Sequence, residues 1–429
     1  MRTIDVGILK CDRIKFEFIG AFSCENMDVE GLQTISIQNG LLLWNGKSGE
    51  CFSFSPKNGD ARFVLNDVVI GVGFHWQRKE NQTFSGELMF IIENNQVRAI
   101  NRLPVEDYLV SVISSEMSAT SSLELLKAHT IISRSWLYAQ LQNRGKRNSP
   151  IKGWQTEDET VRWYDRDNHT LFDLCADDHC QRYQGLTRAV NPNVRRAVKE
   201  TENLVLKYDG KVCDARFSKC CGGMTERFSA CWENEDMEYL KAFRDTTDET
   251  EYVDLTKENE ARRWIENVPD AFCSNVSKEV MSQILNGYDC ETNDFYRWKV
   301  RYSQSELSKL LVERSGINFG TVLELQPVER AASGRLVKLR IVGTKRVHTV
   351  GKELEIRRWL SASHLYSSAF VIDKEIDNNT GEIFFLLKGA GWGHGVGLCQ
   401  IGAAVMGEKG YDYKRILAHY YPGTCIEQV

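Results

Sequence analysis

The sequence lacks a long apolar run and lacks an excess of basic charge. No uninterrupted apolar stretch approaches the roughly 20 residues that a membrane-spanning helix requires, and residues 1–20 carry charges where a signal peptide would have its apolar core. The chain has 54 Lys and Arg against 59 Asp and Glu, a net charge of −5. A basic surface of the kind that binds nucleic acid or anionic membrane is therefore not expected.

Internal repeats and low-complexity tracts are also lacking. The 429 residues, of which 42% are hydrophobic, are enough for two or three domains with real cores. The 13 cysteines are many for a reducing compartment but too dispersed for a small disulfide scaffold, and their odd number leaves one unpaired in a monomer. The redox compartment stays open, so the clustering of cysteines is the more useful clue.

The first half of the chain changes from a strand pattern to a helical one. Residues 1–85 show short alternating apolar runs between Gly and Asn turns, which predicts a β-rich N-terminal domain. Residues 86–240 begin with a predicted hairpin and become helical after Leu103-Pro104. Helices are predicted from Glu106 to Met117 and from a capping box at Ser121 to about Leu141.

The second half is predicted to return to strands after an insertion. Residues 241–320 are rich in charge and carry helical patterns, which is typical of a helical insertion, and strand patterns resume in residues 321–429. The whole pattern predicts an α+β fold, with β-rich barrel-like parts flanking the helical segment. We expect a substrate groove where that segment meets the glycine-rich loop from Gly391 to Gln400.

Glu116 is the first candidate for chemistry. Tyr108, Val112 and Glu116 stand at positions i, i+4 and i+8 of the predicted helix, so this carboxyl continues an otherwise apolar stripe. Desolvation disfavours the charged form of a carboxyl and raises its pKa, which is what a general acid needs to hold its proton near neutrality. A helix-end carboxylate that faces water is the alternative.

Two separate groups of motifs resemble a known family. The first group is Asn101-Arg102-Leu103-Pro104-Val105-Glu106-Asp107-Tyr108-Leu109, Ser115-Glu116-Met117 and Leu123-Glu124-Leu125-Leu126-Lys127-Ala128-His129. The second is Gly391-Trp392-Gly393-His394-Gly395-Val396-Gly397-Leu398-Cys399-Gln400 and Tyr420-Tyr421-Pro422-Gly423-Thr424. They resemble the SpoIID/LytB family, which includes the sporulation protein SpoIID and the LytB amidase enhancers. The resemblance covers most of residues 86–240 and 321–425.

The resemblance implies an activity and a catalytic residue. In this family the glutamate before the methionine is the catalytic acid, which assigns that role to Glu116. The implied reaction is lytic transglycosylation of peptidoglycan on strands that an amidase has freed of stem peptides. The β-1,4 bond after N-acetylmuramic acid breaks, and the muramyl 6-hydroxyl replaces water as nucleophile, leaving a 1,6-anhydro end. One carboxyl then suffices where most glycosidases use two. The implied location is the cell envelope, and no organic cofactor is expected.

Two basic residues on the helix after Glu116 are candidates for contacts with the sugar. Lys127 and Arg134 would bind polar groups of the glycan, and solvated helix charges are the alternative.

The glycine-rich loop supplies three further candidates. Four glycines surround Trp392 and His394, so the backbone can approach a ligand closely and an aromatic face is available for a sugar ring. The family match adds Gln400 to this group. The alternative is a glycine-rich turn before a helix, with His394 holding the turn by hydrogen bonds.

A polar segment that follows these two predicted helices contains a candidate metal site. His169, Cys175, His179 and Cys180 supply two imidazoles and two thiolates, a donor set typical of tetrahedral zinc. Four protein ligands would leave no open position, so the zinc would brace the fold and not activate water. A disulfide between Cys175 and Cys180, or unlinked side chains, are the alternatives.

The chain departs from the family pattern at several positions. Cys220-Cys221 stands where the family has a Ser/Thr-rich run, Cys399 stands where it has serine, and Ser118 replaces a proline. Because both serine sites have become cysteine, we hypothesise that Cys220 or Cys221 lies close to Cys399 and can pair with it. Small buried hydrophobes are the alternative.

Two other classes of function remain open. A LytB-like protein would bind glycan or an amidase as an enhancer and turn nothing over. A thiol or zinc hydrolase would need a stabilised Cys399 thiolate near His394, or a metal with an open position.

Overall fold

The computed structural model describes residues 2–71, 77–118, 121–143, 153–163, 169–177, 180–189, 191–247, 253–278, 280–281 and 294–429. The chain divides into two compact units, which we describe separately. Unit 1 comprises Met1–Leu137 and Arg166–Leu204, and unit 2 comprises Tyr138–Asp165 and Val205–Val429. No helix in these described ranges is both long enough and apolar enough to cross a membrane. The four-part division expected from the sequence stays a prediction.

The described residues form strands and helices in both units, as an α+β fold requires. The strands are β1 (Thr3–Cys11), β2 (Arg13–Cys24), β3 (Met27–Gln38), β4 (Leu41–Trp44), β5 (Lys47–Gly49), β6 (Cys51–Pro56), β7 (Arg62–Ile70), β8 (Arg78–Phe84), β9 (Glu87–Glu93), β10 (Gln96–Pro104), β11 (Gly153–Gln155), β12 (Glu159–Arg162), β13 (Leu174–Cys175), β14 (Leu204–Tyr208), β15 (Lys211–Val212), β16 (Phe217–Ser218), β17 (Arg297–Ser303), β18 (Val322–Arg330), β19 (Leu336–Gly343), β20 (Val347–Gly351), β21 (Phe370–Ile376), β22 (Ile383–Ala390), β23 (Leu398–Cys399) and β24 (Cys425–Gln428). The helices are α1 (Val105–Glu116), α2 (Leu123–Gln142), α3 (Pro192–Glu200), α4 (Glu258–Asn267), α5 (Gln304–Ser315), α6 (Glu353–Trp359), α7 (Gln400–Glu408) and α8 (Tyr413–Tyr420).

Unit 1 is built on one large sheet. Its strand order is β13-β1-β10-β9-β6-β2-β3-β4-β5, and β7 pairs with both β2 and β8. The described pairings leave β13, β5 and β8 with a neighbour on one side only. A barrel requires its first and last strands to pair, so the sheet is open and the expected barrel-like parts are not closed barrels in the described residues.

Aromatic residues fill the core of unit 1. In β2 the side chains of Ile14, Phe16 and Phe18 are buried while their neighbours in sequence are exposed, which is the period of two that a half-buried strand requires. Phe16 lies 4.8 Å from Phe90 between ring centroids, and Trp44 lies 4.8 Å from Phe54. This layer of rings supplies much of the apolar area that the sheet buries.

The hairpin of β9 and β10 leads directly into the first helix. Pro104 precedes α1 with extended backbone, and the N–H of Val105 donates to the carbonyl of Arg2 on the neighbouring chain segment at 3.0 Å. Met117 ends α1 because its backbone is extended again. Glu116 is therefore the last residue of α1. Its position follows from the helix, which begins directly after β10.

Unit 2 contains several smaller sheets, two of which share an apolar core. A five-stranded sheet has the order β11-β12-β20-β19-β18, and a three-stranded sheet has the order β17-β22-β21. The apolar side chains between them include Trp298, Leu339, Trp359 and Leu387. Among the described residues no sheet of this unit closes into a barrel either.

The charged segment expected to be an insertion contributes to a second apolar cluster of unit 2. Trp264 and Ile265 of α4 pack with Val371 and Ala390, and Arg262 donates to Asp373 at 2.8 Å. Helix α5 follows β17 with the capping box of Ser303. The charges of this segment thus lie on amphipathic helices whose apolar faces are buried.

The substitution Phe16→Ala tests the aromatic layer. Phe16 is fully buried, so its removal leaves a cavity, and we expect the free energy of unfolding to fall by about 3–5 kcal/mol. Urea unfolding followed by fluorescence measures this change. Leu32, which is 69% exposed, is the control, because Leu32→Ala should change stability by less than about 0.5 kcal/mol. Equal losses in the two variants would contradict the assignment of the core.

Candidate functional site

Glu116 is half-buried at the end of α1, and a backbone donor holds its carboxylate. The N–H of Arg182 donates to Glu116 Oε1 at 3.2 Å. This contact joins the helix to a segment 66 residues further along the chain. The expectation of a partly desolvated carboxyl on an apolar stripe agrees with the half-buried position, while its catalytic role stays a prediction.

The segment that carries Arg182 is fixed to α1 by its neighbours. The hydroxyl of Tyr108 donates to Gln181 Oε1 at 3.1 Å, and the N–H of Gln184 donates to Ser111 Oγ at 3.2 Å. Burial raises the pKa of Tyr108 well above its ordinary value, so the phenol keeps its proton and remains a donor. Hydrogen bonds on both sides of Arg182 thus set the position of its N–H.

Three of the four predicted metal ligands lie together just before this segment. His169 Nε2 lies 3.5 Å from Cys180 Sγ, and the donor atoms of His169, Cys175 and Cys180 all lie within 4.8 Å of one another. The structure has no sulfur–sulfur bond between Cys175 and Cys180. The fourth predicted ligand, His179, lies outside the described residues. This grouping is compact enough to bind a metal ion.

We name the segment that carries His169, Cys175 and Cys180 the metal loop. Its backbone is hydrogen-bonded to the sheet of unit 1. Cys175 lies in β13, which pairs with β1 in parallel, and the N–H of Ala176 donates to the carbonyl of Gly7 at 3.0 Å. The N–H of Tyr183 in turn donates to the carbonyl of Ala176 at 3.0 Å. The loop therefore connects the sheet to the segment that contacts Glu116.

The two basic candidates on α2 are engaged by carboxylates. Lys127 Nζ lies 3.0 Å from a carboxylate oxygen of Glu124 and 2.7 Å from one of Glu200. Arg134 is fully buried, its Nε donates to Glu106 at 3.0 Å, and one terminal nitrogen donates to the carbonyl of Leu204 at 3.0 Å. These contacts support structural roles for both residues, and their contacts with glycan stay predictions.

The glycine-rich loop of unit 2 wraps a buried arginine. The guanidinium of Arg335 donates to Ser333 Oγ at 2.9 Å and to the carbonyls of Cys221 and Gly393 at 3.3 Å. A Cβ added at Gly395 would lie 2.4 Å from this guanidinium, and the positive φ of Gly395 also disfavours a side chain. Close packing against Arg335 is a sufficient reason for this glycine.

Trp392 and His394 are partly exposed to solvent, whereas Gln400 is buried. Trp392 is half-buried and its ring stacks on Tyr366 with centroids 4.3 Å apart. Gln400 is the first residue of α7 and is only 2% exposed. Their roles in glycan binding stay predictions, as does a groove shared with Glu116, which belongs to unit 1.

His394 holds the loop as a neutral imidazole. Its Nδ1 accepts a hydrogen bond from the N–H of Val396 at 3.0 Å. Burial, and then the charges of Arg216 and Arg335, lower its pKa well below the ordinary value. This arrangement favours the turn-holding alternative for His394.

The cysteines that the sequence analysis expected to be neighbours, Cys221 and Cys399, belong to a larger group of side chains. The N–H of Cys221 donates to Cys399 Sγ at 3.2 Å, so the two residues are close as expected, although the structure has no bond between their sulfurs. Asp245 and Cys273 join them, and the donor atoms of all four lie within 4.8 Å of one another. We name Cys221, Asp245, Cys273 and Cys399 the thiol cluster. Asp245 and Cys273 were missed in the sequence analysis because nothing in their local sequence marks them.

The protonation states within the thiol cluster are unequal. Burial opposes a charge on Cys399, but hydrogen bonds from the thiols of Cys220, Cys221 and Cys273 outweigh it and hold the pKa of Cys399 well below its ordinary value. Burial and the adjacent Cys399 raise the pKa of Asp245.

Two regions of the chain match known protein families. Residues 93–208, which contain α1, α2 and the metal loop, match the family described as stage II sporulation protein, SpoIID. Residues 226–397 match a domain of unknown function, DUF8618. The chain thus contains one region similar to the SpoIID family and a second region similar to DUF8618.

Three relatives extend the match beyond this domain. The amidase enhancer of Bacillus subtilis (strain 168) is 26% identical over 340 residues, 74% of this chain and 40% of the relative, so the match spans well under half of that protein. An uncharacterized protein of Brachyspira hyodysenteriae is 27% identical over 428 residues, 95% of each chain. Stage II sporulation protein D of Bacillus amyloliquefaciens is 22% identical over 330 residues, 77% of this chain and 76% of the relative. These similarities support the assignment of the chain to the SpoIID/LytB family.

The substitution Arg134→Met tests the structural role of this arginine. It leaves the Glu106 carboxylate without its cation in a largely buried place, so the free energy of unfolding should fall by about 3–5 kcal/mol. The double variant Arg134→Met/Glu106→Gln should recover part of the loss. Urea unfolding measures both. Unchanged stability combined with lost glycan binding would restore Arg134 to the substrate site.

Proposed function

We propose that the protein cleaves the glycan strands of peptidoglycan by lytic transglycosylation, with Glu116 as the acid and base. The observation that carries this proposal is the half-buried Glu116 carboxyl, oriented by the Arg182 N–H at 3.2 Å, within a region that matches the SpoIID family. A fixed carboxyl in partly desolvated surroundings suits proton transfer to and from a sugar oxygen. Such a substrate implies a location in the cell envelope.

The proposed reaction needs no second carboxylate. Protonated Glu116 donates its proton to the glycosidic oxygen as the bond from the muramyl C1 breaks, which releases the 4-hydroxyl of the next sugar. The resulting carboxylate accepts the proton of the muramyl 6-hydroxyl while that oxygen bonds to C1. Glu116 is then protonated again, and the product carries a 1,6-anhydro end.

We further propose that zinc occupies the metal loop as a structural ion. His169, Cys175 and Cys180 would hold it with His179, and an imidazole–thiolate set favours zinc over magnesium or calcium. The loop lies between β13 and Arg182, so a bound ion would brace the backbone that orients Glu116. With four protein ligands the ion would have no position for an attacking water.

A second function is favoured by one of the comparisons. A relative named amidase enhancer aligns with 74% of this chain, which supports a role in which the protein binds glycan or an N-acetylmuramoyl-L-alanine amidase without cleaving anything. The two functions differ in one observable, the formation of anhydromuramyl ends.

The substitution Glu116→Gln tests the catalytic proposal. The amide keeps the shape of the side chain but has no transferable proton, so the rate of glycan cleavage should fall by about 10²–10⁴-fold. Mass spectrometry of products from amidase-treated glycan strands measures the anhydromuramyl ends. Glu17→Gln, at an exposed position of β2, should retain the full rate.

The same experiment separates the enhancer function. If wild type forms no anhydromuramyl product but still binds the strands in a pull-down and accelerates an added amidase, the enhancer function replaces catalysis. Equal product from wild type and Glu116→Gln would remove Glu116 from the mechanism.

The substitution Cys175→Ser tests the metal loop. A structural ion whose free concentration is about 100 times its Kd adds about 2.7 kcal/mol to the free energy of unfolding. Its loss should therefore lower Tm by about 5–10 °C and reduce the rate of glycan cleavage. Cys51→Ser, which alters an exposed thiol in the same sheet, should change neither. Scanning calorimetry in the presence of zinc measures Tm. A normal Tm in Cys175→Ser would contradict a structural ion at this loop.

A further inference from the structure

The thiol cluster lies in the interior of unit 2 and has no part in the proposed glycan chemistry. Cys221, Asp245, Cys273 and Cys399 are at most 2% exposed. They come from four separate segments of the chain, and the backbone contact between Cys221 and Cys399 spans 178 residues. Such burial excludes a sugar or a peptide as a ligand, but it admits a single ion.

The distances within the thiol cluster resemble those of a tetrahedral ligand set. Cys221 Sγ lies 3.5 Å from Cys273 Sγ and 3.3 Å from Asp245 Oδ2. A tetrahedral zinc with bonds of about 2.3 Å to sulfur separates two sulfur ligands by about 3.8 Å. These two separations would have to change by only a few tenths of an ångström, and all four donor atoms lie within 4.8 Å of one another.

Backbone donors hold the sulfur of Cys399 in a form suited to a metal. The N–H groups of Cys221 and Gly402 point at this sulfur, at 3.2 and 3.4 Å. Cys399 is also the N-cap of α7, where the helix dipole favours a negative charge. A thiolate is the form of cysteine that binds metal ions.

Asp245 has the outer contacts that commonly orient a metal ligand. Its Oδ1 accepts from Tyr420 Oη at 2.8 Å and lies 3.2 Å from His419 Nε2. Its Oδ2 faces Cys221. A Cβ at Gly402 would lie 2.5 Å from Oδ2, so the glycine at this position leaves room for the carboxylate. Partners on the second oxygen of a ligating carboxylate are typical of the outer shell of a metal site.

We propose that the thiol cluster is a second, structural metal site that binds one Zn²⁺ through three cysteine sulfurs and Asp245 Oδ2. The thiols release their protons to solvent on binding, and Asp245 binds as a carboxylate. Three thiolates and a carboxylate with one Zn²⁺ leave two negative charges in the interior. Two guanidinium groups are near: Arg335 donates to the carbonyl of Cys221 at 3.3 Å, and Arg297 donates to that of Gly222 at 3.0 Å.

The ion joins segments that the sequence keeps far apart. Cys399 connects β23 to α7, and Cys221 follows β16, which pairs with β23. The N–H of Phe272 donates to the carbonyl of Asp245 at 2.7 Å, which brings Cys273 to the same place. A zinc site here braces unit 2 whether or not Glu116 is catalytic, so the proposal does not rest on the proposed function.

The test begins with a variant that leaves unit 2 untouched. The full chain carrying His169→Ala and Cys175→Ser, purified under reducing conditions with added Zn²⁺, has no ligands left at the metal loop except Cys180 and His179. We expect this protein to retain about one zinc per chain by elemental analysis. Its X-ray absorption spectrum should show sulfur neighbours at about 2.3 Å and an oxygen at about 2.0–2.2 Å. A folded variant that retains no zinc, or a zinc shell dominated by nitrogen, would overturn the proposal.

A further substitution in the same protein assigns the ligands. Adding Cys399→Ser should remove the remaining zinc, whereas adding Cys213→Ser, a buried cysteine of unit 2 outside the thiol cluster, should leave it bound. If Cys399→Ser prevents folding, Co²⁺ substitution of the parent variant provides an independent readout, since thiolate ligands give an intense near-ultraviolet charge-transfer band. Absence of that band, or a peptide map showing a Cys221–Cys273 disulfide in the protein purified under reductant, would also overturn the proposal.

Discussion

The hydrogen bond from the Arg182 N–H to Glu116 is the contact on which the proposed active carboxyl depends. A backbone donor is a strong constraint because it moves only if the chain moves. Here the chain is held by Gln181 and Gln184 against α1 and by Ala176 against the sheet. His169, Cys175 and Cys180 precede Arg182 in this part of the chain. An ion bound to them would therefore help to set the position of the Glu116 carboxylate without contacting it.

Unit 2 is organised by buried polar groups. Glu226 is fully buried and accepts hydrogen bonds from the backbone N–H of Ser333, while Arg335 lies beside it and contacts the glycine-rich loop. Interior charges are tolerated only when they are paired and hydrogen-bonded. The glycine-rich motif, which suggests a ligand loop in the sequence, is explained in this unit by close approach to Arg335.

Local elements were predicted well from the sequence. The change of period after Leu103-Pro104 predicted α1 and α2. Contacts that depend on residues distant in the chain or on the exact position of a helix end were not predicted. Ser122 caps α2 by accepting from the N–H of Leu125, whereas the hydroxyl of the expected cap, Ser121, donates to the carbonyl of Ser118. The predicted basic glycan contact at Arg134 is a buried partner of Glu106, which no pattern of charges reveals.

The sequence by itself indicated the resemblance to the SpoIID/LytB family, the α+β class and the candidate Glu116. It also gave the spacing of His169, Cys175 and Cys180, because each of these features depends on residues close together in the chain. Only the tertiary structure decided that the sheets formed by the described residues are open and that Asp245 and Cys273 join Cys221 and Cys399. Periodicity reports which face of an element is buried, but it carries no information on which distant element covers that face. Contacts across 178 residues, such as that between Cys221 and Cys399, arise from packing alone.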